Sequence, residues 1–124
     1  MSENGVFDAS TQDWDREVLG SDLPVAVDFW HENCSWCIRL DPVYKEVSQE
    51  YQGKMKFAKL HVFNESEIAN RYGIMGTPTI KFFCRGQEVY EIVGFRPSQA
   101  LKQEIDRVLS TYRECLESIT PVKE

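Results

Sequence analysis

Cys34 and Cys37, three positions apart in Cys34-Ser35-Trp36-Cys37, are the residues whose type and spacing most directly imply chemistry. At the start of a helix, side chains three apart share a face, with Cβ atoms about 5–6 Å apart. A disulfide asks for roughly 3.8 Å. A small adjustment in the first turn therefore opens or closes the bond without rebuilding the fold, which makes the pair a reversible two-electron switch. The thiolate is the reactive species. A helix amino terminus, with unpaired N–H groups and the positive end of the macrodipole, lowers a cysteine pKa to about 3.5–7.5. Glu32 opposes that shift, because a neighbouring carboxylate disfavours a second anion. An exposed Glu32 is screened by solvent, so the helix effect is expected to prevail. His31 and His61 offer imidazoles, but structural zinc ordinarily takes a second close pair of ligands. The chain carries no such pair, so no metal is expected.

The elements that must hold this pair follow from the surrounding pattern. Asp8-Ala9-Ser10-Thr11-Gln12-Asp13 reads as a helix start, and the helix runs to about Leu19 with Trp14, Val18 and Leu19 inward. Leu23 to Trp30 is a near-continuous apolar strand, as in a parallel sheet covered on both faces. Asp28 interrupts it. The helix opening at Cys34 reaches about Tyr51, with Ile38, Leu40, Val43, Tyr44 and Val47 as its apolar stripe and Pro42 kinking it. Met55 to Val62 is the next strand, and Asn64 to Tyr72 a short helix that Gly73 ends. Thr79–Cys84 and Glu88–Val93, joined by Arg85-Gly86-Gln87, form an antiparallel hairpin. Pro97-Ser98 opens a last helix with Leu101, Ile105, Val108, Tyr112, Leu116 and Ile119 on one face. A short extra strand is expected at Val6-Phe7. Helix after strand, twice, demands a parallel core built by right-handed crossovers.

At 124 residues the chain is sized for one domain, long enough to bury a core without metal or structural disulfides. Its 14 basic and 20 acidic residues leave a net charge of −6, which argues against a nucleic-acid partner. No apolar run approaches the roughly 20 residues a bilayer span requires, so no membrane association is expected. Met1-Ser2-Glu3-Asn4-Gly5 carries no legible secretory signal, and a cytoplasmic location is expected. In that compartment a single CxxC near a βαβ pattern reads as redox-active rather than as a structural bridge. Cys84 and Cys115 are each expected to be small buried apolar residues.

With these elements in place the chain resembles a thioredoxin over roughly residues 5 to 110. The resemblance is carried by Val27-Asp28-Phe29-Trp30 before the CxxC, Pro42 after it and Ala58-Lys59-Leu60 on the next strand. It continues through Tyr72-Gly73-Ile74-Met75-Gly76-Thr77-Pro78-Thr79, Gly86, and Val93-Gly94. It implies an α/β thioredoxin fold: a central mixed sheet of four to five strands flanked by helices on both faces, with an extended C-terminal helix. The domain is expected over 1–110 and a C-terminal helical extension over 111–124. The family's usual Trp-Cys-Gly-Pro-Cys-Lys reads Asn33-Cys34-Ser35-Trp36-Cys37-Ile38 here, so the indole has moved from before the pair to within it.

The resemblance further implies that Cys34 attacks a partner's disulfide and that Cys37, one turn in and less exposed, resolves the mixed disulfide. Asp28 in its apolar strand has a raised pKa and is the candidate proton acceptor for Cys37. Lys59 on the neighbouring strand is expected to pair with it and limit that rise. A cis Thr77-Pro78 bond would set the Gly76-Thr77 backbone beside the cysteines, where a target peptide adds as a short strand. Gly94 is expected to permit close backbone approach beside that groove, Trp30 to close the strand under the site, and Trp36 to meet partners. No cofactor is expected beyond the redox-active Cys34–Cys37 disulfide. The expected partners are disulfide-containing proteins and, as electron donor, a thioredoxin reductase, a flavin enzyme fed by a pyridine nucleotide; the protein is expected to be a monomer. The leading reading is a protein-disulfide reductase. A disulfide oxidase or isomerase, and a non-catalytic binding module of the same fold, are the alternatives.

Overall fold

The computed structural model describes the backbone of residues 5–119 and the side chains of residues 5–111. In chain order the elements are β1 (Val6–Asp8), a π-helical turn (Asp15–Leu19), β2 (Val25–Trp30), α1 (Ser35–Glu50), β3 (Lys56–His61), α2 (Ser66–Arg71), β4 (Thr79–Cys84), β5 (Gln87–Val93) and α3 (Ser98–Ile119). The strands form one sheet in the order β1-β3-β2-β4-β5. β1, β3 and β2 run parallel, and β4 and β5 are antiparallel additions.

Strand alternation divides the interior in two. Ala26 of β2, Phe57 of β3, Ile80 and Phe82 of β4 and Ile92 of β5 pack with Leu40, Tyr44 and Val47 of α1 and Leu101, Ile105 and Val108 of α3. Val25, Val27 and Phe29 face the other way, onto Trp14 and Val18 of the π-helical turn, Ile68 of α2 and Phe83. A strand buried on both faces has no solvent side to mark with polar residues, which is why β2 reads as an apolar run. By the same alternation Asp28, between Val27 and Phe29, points to the α1 side.

Three local expectations are corrected. The helix expected up to Leu19 is only a five-residue π-type turn, in which the Gly20 N–H donates to the Asp15 carbonyl at 2.8 Å. Its approach is fixed by a reciprocal pair: the Asp13 N–H donates to Ser10 Oγ at 3.2 Å, and the Ser10 N–H to Asp13 Oδ1 at 2.8 Å. The hairpin loop is two residues, not three, because Gln87 already pairs with Cys84. Arg85 and Gly86 both have positive φ, 53° and 86°, which is what a two-residue loop matching strand twist requires. Cys84 is fully buried, as expected, but it is disulfide-bonded, which was not expected. Tyr112, Cys115, Leu116 and Ile119 lie outside the described side chains.

Candidate active site

Cys34 caps α1. Its backbone is extended (φ −102°, ψ 106°), its carbonyl accepts from the Ile38 N–H at 3.1 Å, and its Sγ accepts from the Cys37 N–H at 3.1 Å. The first-turn N–H groups of a helix have no intrahelical partner, and here one of them is spent on the sulfur. The same donor stabilises a thiolate at Cys34 once the pair is reduced. Cys34 and Cys37 are joined in a disulfide, with Cα atoms 5.2 Å apart. Of the two, Cys34 is the more accessible, at 9% against 3%.

On the α1-facing side of β2, Asp28 is 1% exposed, and neither carboxylate oxygen has a hydrogen-bond partner among the described residues. Burial pushes its pKa up to about 7; the Lys59 charge opposes that rise and Asp41 adds to it. The expected Asp28–Lys59 pair is not made. The strand register sets the two residues side by side, yet the Lys59 ammonium donates to Asp41 Oδ1 at 2.6 Å and lies 4.3 Å from the centre of the Trp30 ring. Asp41 lies four residues after Cys37, on the same helix face. That spacing was the available sequence signal for it.

The Thr77-Pro78 peptide is cis. Thr79 Oγ1 donates to the Gly76 carbonyl at 2.6 Å, and the Gly94 N–H to the Pro78 carbonyl at 2.8 Å, so loop and β5 end are tied together. Gly94 has a local requirement of its own. A Cβ there would meet only Arg96 Nη1, at 4.0 Å, so crowding is no obstacle; the requirement is its φ of +94°.

The expected contact residues fall around several clefts. Trp36, Thr77, Pro78 and Gly94 line one together with Phe95, at about 270 Å³, room for a side chain. Gly76 and Thr77 line a second, with His31, Phe63 and Met75. Trp30 is in neither; it shares a third with Cys37, Ile38, Asp41 and Lys59. Trp36 is half exposed, packs 5.5 Å from the Phe95 ring, and has the Arg39 guanidinium 5.1 Å from its own. Phe63 and Met75 are also strongly exposed. Neither Phe63 nor Phe95 is legible as a site residue in the sequence, since isolated aromatics in loops carry no periodic signal. Glu32 does not turn freely into solvent: its Oε1 lies 2.6 Å from His61 Nε2, while His61 Nδ1 accepts from the Asn64 N–H. That hydrogen bond holds the Glu32 carboxyl below its usual range. Among the described residues no group of three or more His, Cys, Asp or Glu side chains is arranged to hold a metal ion, and no helix is long and apolar enough to cross a membrane.

A family model described as Thioredoxin matches residues 5–107. The chain is 40% identical over 94 residues to Thioredoxin 1 of Nostoc sp., covering 76% of this chain and 88% of that protein. It is 40% identical over 104 residues to a thioredoxin of Synechocystis sp., covering 84% and 94%. A chloroplastic M-type thioredoxin of Brassica napus is 38% identical over 96 residues, and this chain spans 54% of its length.

Proposed function

The chain belongs to the thioredoxin family, with its fold and its thiol–disulfide oxidoreductase activity, and from that premise we propose how its residues divide the work of reducing protein disulfides. The Cys34 thiolate attacks one sulfur of a target disulfide. A mixed disulfide forms and the other target sulfur leaves as a thiolate. Cys37 passes its proton to Asp28 and attacks Cys34 Sγ, expelling the second target thiolate. The target gains two electrons, and the protein is left with the Cys34–Cys37 bond. An external dithiol, supplied by a reductase of the thioredoxin reductase type, resets the pair.

The observation that carries this reading is the orphaned Asp28 carboxyl on the α1-facing side of β2, together with the disulfide at the mouth of α1. A base is most useful when its pKa lies near the working pH, and a binding module has no need to bury an unpaired acid. Target peptides lie along Gly76-Thr77-Pro78 and Gly94, with Trp36 and Phe95 receiving a neighbouring side chain and Trp30 and Lys59 flanking Cys37. We assign the activity to residues 1–110 with 111–124 as a C-terminal extension, the working form to a monomer, and the compartment to the cytosol, where dithiol reductants are maintained.

Reduction of insulin by dithiothreitol tests the reading. Wild type should accelerate precipitation and Cys34→Ser should not, while Cys37→Ser should accumulate stable mixed disulfides through Cys34. Partners trapped on Cys37 instead would reverse the two cysteine roles, and no acceleration by wild type would favour the binding module.

A further inference from the structure

Asp28 and Lys59 are register partners on adjacent parallel strands and face the same helix. An ammonium so placed ordinarily bonds the carboxylate beside it, because a buried charge is strongly penalised unless paired. Here it does not. Lys59 Nζ donates to Asp41 Oδ1 at 2.6 Å, Lys45 Nζ lies 3.0 Å from Asp41 Oδ2, and both oxygens of Asp28 are left without a partner among the described residues. Asp41 thus has a cation on each oxygen. Burial works against its ionisation, but the bonds from Lys59 and Lys45 outweigh it and hold its carboxyl below the usual range. The pair Asp41–Lys59 also lines, with Trp30 and Ile38, the cleft that reaches Cys37 from solvent.

We propose that Asp41 is a positioning residue for the exchange reaction: it detains the Lys59 ammonium at the mouth of the Cys37 cleft and so denies Asp28 the counter-charge that would pin it as a carboxylate. The proposal rests on the disulfide-reductase reading above and adds to it the control of proton transfer. Among the described residues, the charged and titratable groups facing Asp28 are few. From α1 come Asp41 and Tyr44, and from β3 Lys59; Ile80 of β4, opposite Asp28, is uncharged. The Tyr44 hydroxyl donates to the Ala58 carbonyl at 2.9 Å, so its proton is committed elsewhere. Leu101 and Ile105 of α3 bring no charge to this side of the sheet. Lys59 is therefore the cation among the described residues that bears on Asp28, and its whereabouts decides whether Asp28 accepts a proton at neutral pH.

The test follows the Asp28 carboxyl carbon by NMR across pH in the oxidised protein, beside the pH profile of mixed-disulfide resolution. Asp41→Ala should weaken the proton affinity of Asp28 at least about tenfold, one pH unit, with the limb of the rate profile moving alike; Asp41→Glu should restore both. In a Lys59→Gln background the Asp41→Ala shift should shrink by half or more. An Asp28 midpoint unmoved by Asp41→Ala, or an equal shift without Lys59, overturns the proposal. Should Asp41→Ala fail to fold, the isosteric Asp41→Asn takes its place: a midpoint shift that shrinks by half or more in the Lys59→Gln background supports the proposal, and an unmoved midpoint or an equal shift without Lys59 overturns it. The titration needs no turnover. A wild type inactive on insulin would sink the reductase reading while leaving this measurement interpretable.

Discussion

Asn33, Ser35, Trp36 and Ile38 separate this site from the usual motif of its family, and of these Trp36 brings the largest side chain between the cysteines. Trp36 stands between the cysteines, half exposed, with Phe95 against one part of it and Arg39 against another. Its backbone N–H is among the first-turn donors a helix leaves unused, so the position tolerates change without loss of the helix. Its exposed surface is the part a protein substrate meets. Trp36→Ala should lower the rate on a protein disulfide about tenfold, about 1.4 kcal/mol, while hardly changing the rate on a small-molecule disulfide. Stopped-flow comparison of the two substrates checks this, and equal losses on both would mean that Trp36 tunes the sulfur pair instead. Arg39 and Phe95 gain their interest from the same contact.

At the scale of the element, α1 joins stability to chemistry. Its first turn presents the Cys37 N–H to the Cys34 sulfur, and its inner stripe of Leu40, Tyr44 and Val47 anchors it to the sheet. Pro42 sits inside it, where the missing N–H leaves the Ile38 carbonyl without its helical partner. α3 secures the arrangement from behind through Leu101, Ile105 and Val108, all buried. Truncating Leu101 to Ala leaves a cavity between α3 and the sheet and should cost about 2–5 kcal/mol. Urea unfolding should show a lower midpoint at an unchanged slope. A loss below about 1 kcal/mol would mean that α3 is not held by this contact.

For the whole molecule, the buried acid makes stability depend on pH. An unfolded aspartate titrates near 3.9, and Asp28 in the fold titrates at about 7. Between these values the unfolded chain releases its proton while the folded protein keeps it. The unfolded state is favoured progressively as pH rises from about 4 to 7, by roughly 4 kcal/mol in all, and the effect is level above that. Asp28→Ala removes the burden and should be more stable than wild type by about 2 kcal/mol or more at pH 8, after the cost of the small cavity. Near pH 4 the gain should vanish. Urea titrations at the two pH values decide it, and a gain independent of pH would show that the acid is ionised in the native state.

The order of strands and helices, the apolar β2, the cysteine pair at a helix start and the acid six residues before it were all legible in the sequence. Each is written in local spacing, and periods of two and about 3.6 residues survive without tertiary information. The short first helical turn and the two-residue hairpin loop were not, because single hydrogen bonds and single φ angles decide them. Nor were the partnership of Lys59 with Asp41, the solitude of Asp28, or the grouping of Trp36 with Phe95 and Pro78. Those depend on which side chains from distant segments arrive within a few ångströms of one another. Sequence alone determined that two thiols and a buried acid would share one site. Only the packing of α1 against β2 and β3 decided which carboxylate took the lysine, since a charge pairs with the partner it reaches at the least desolvation cost.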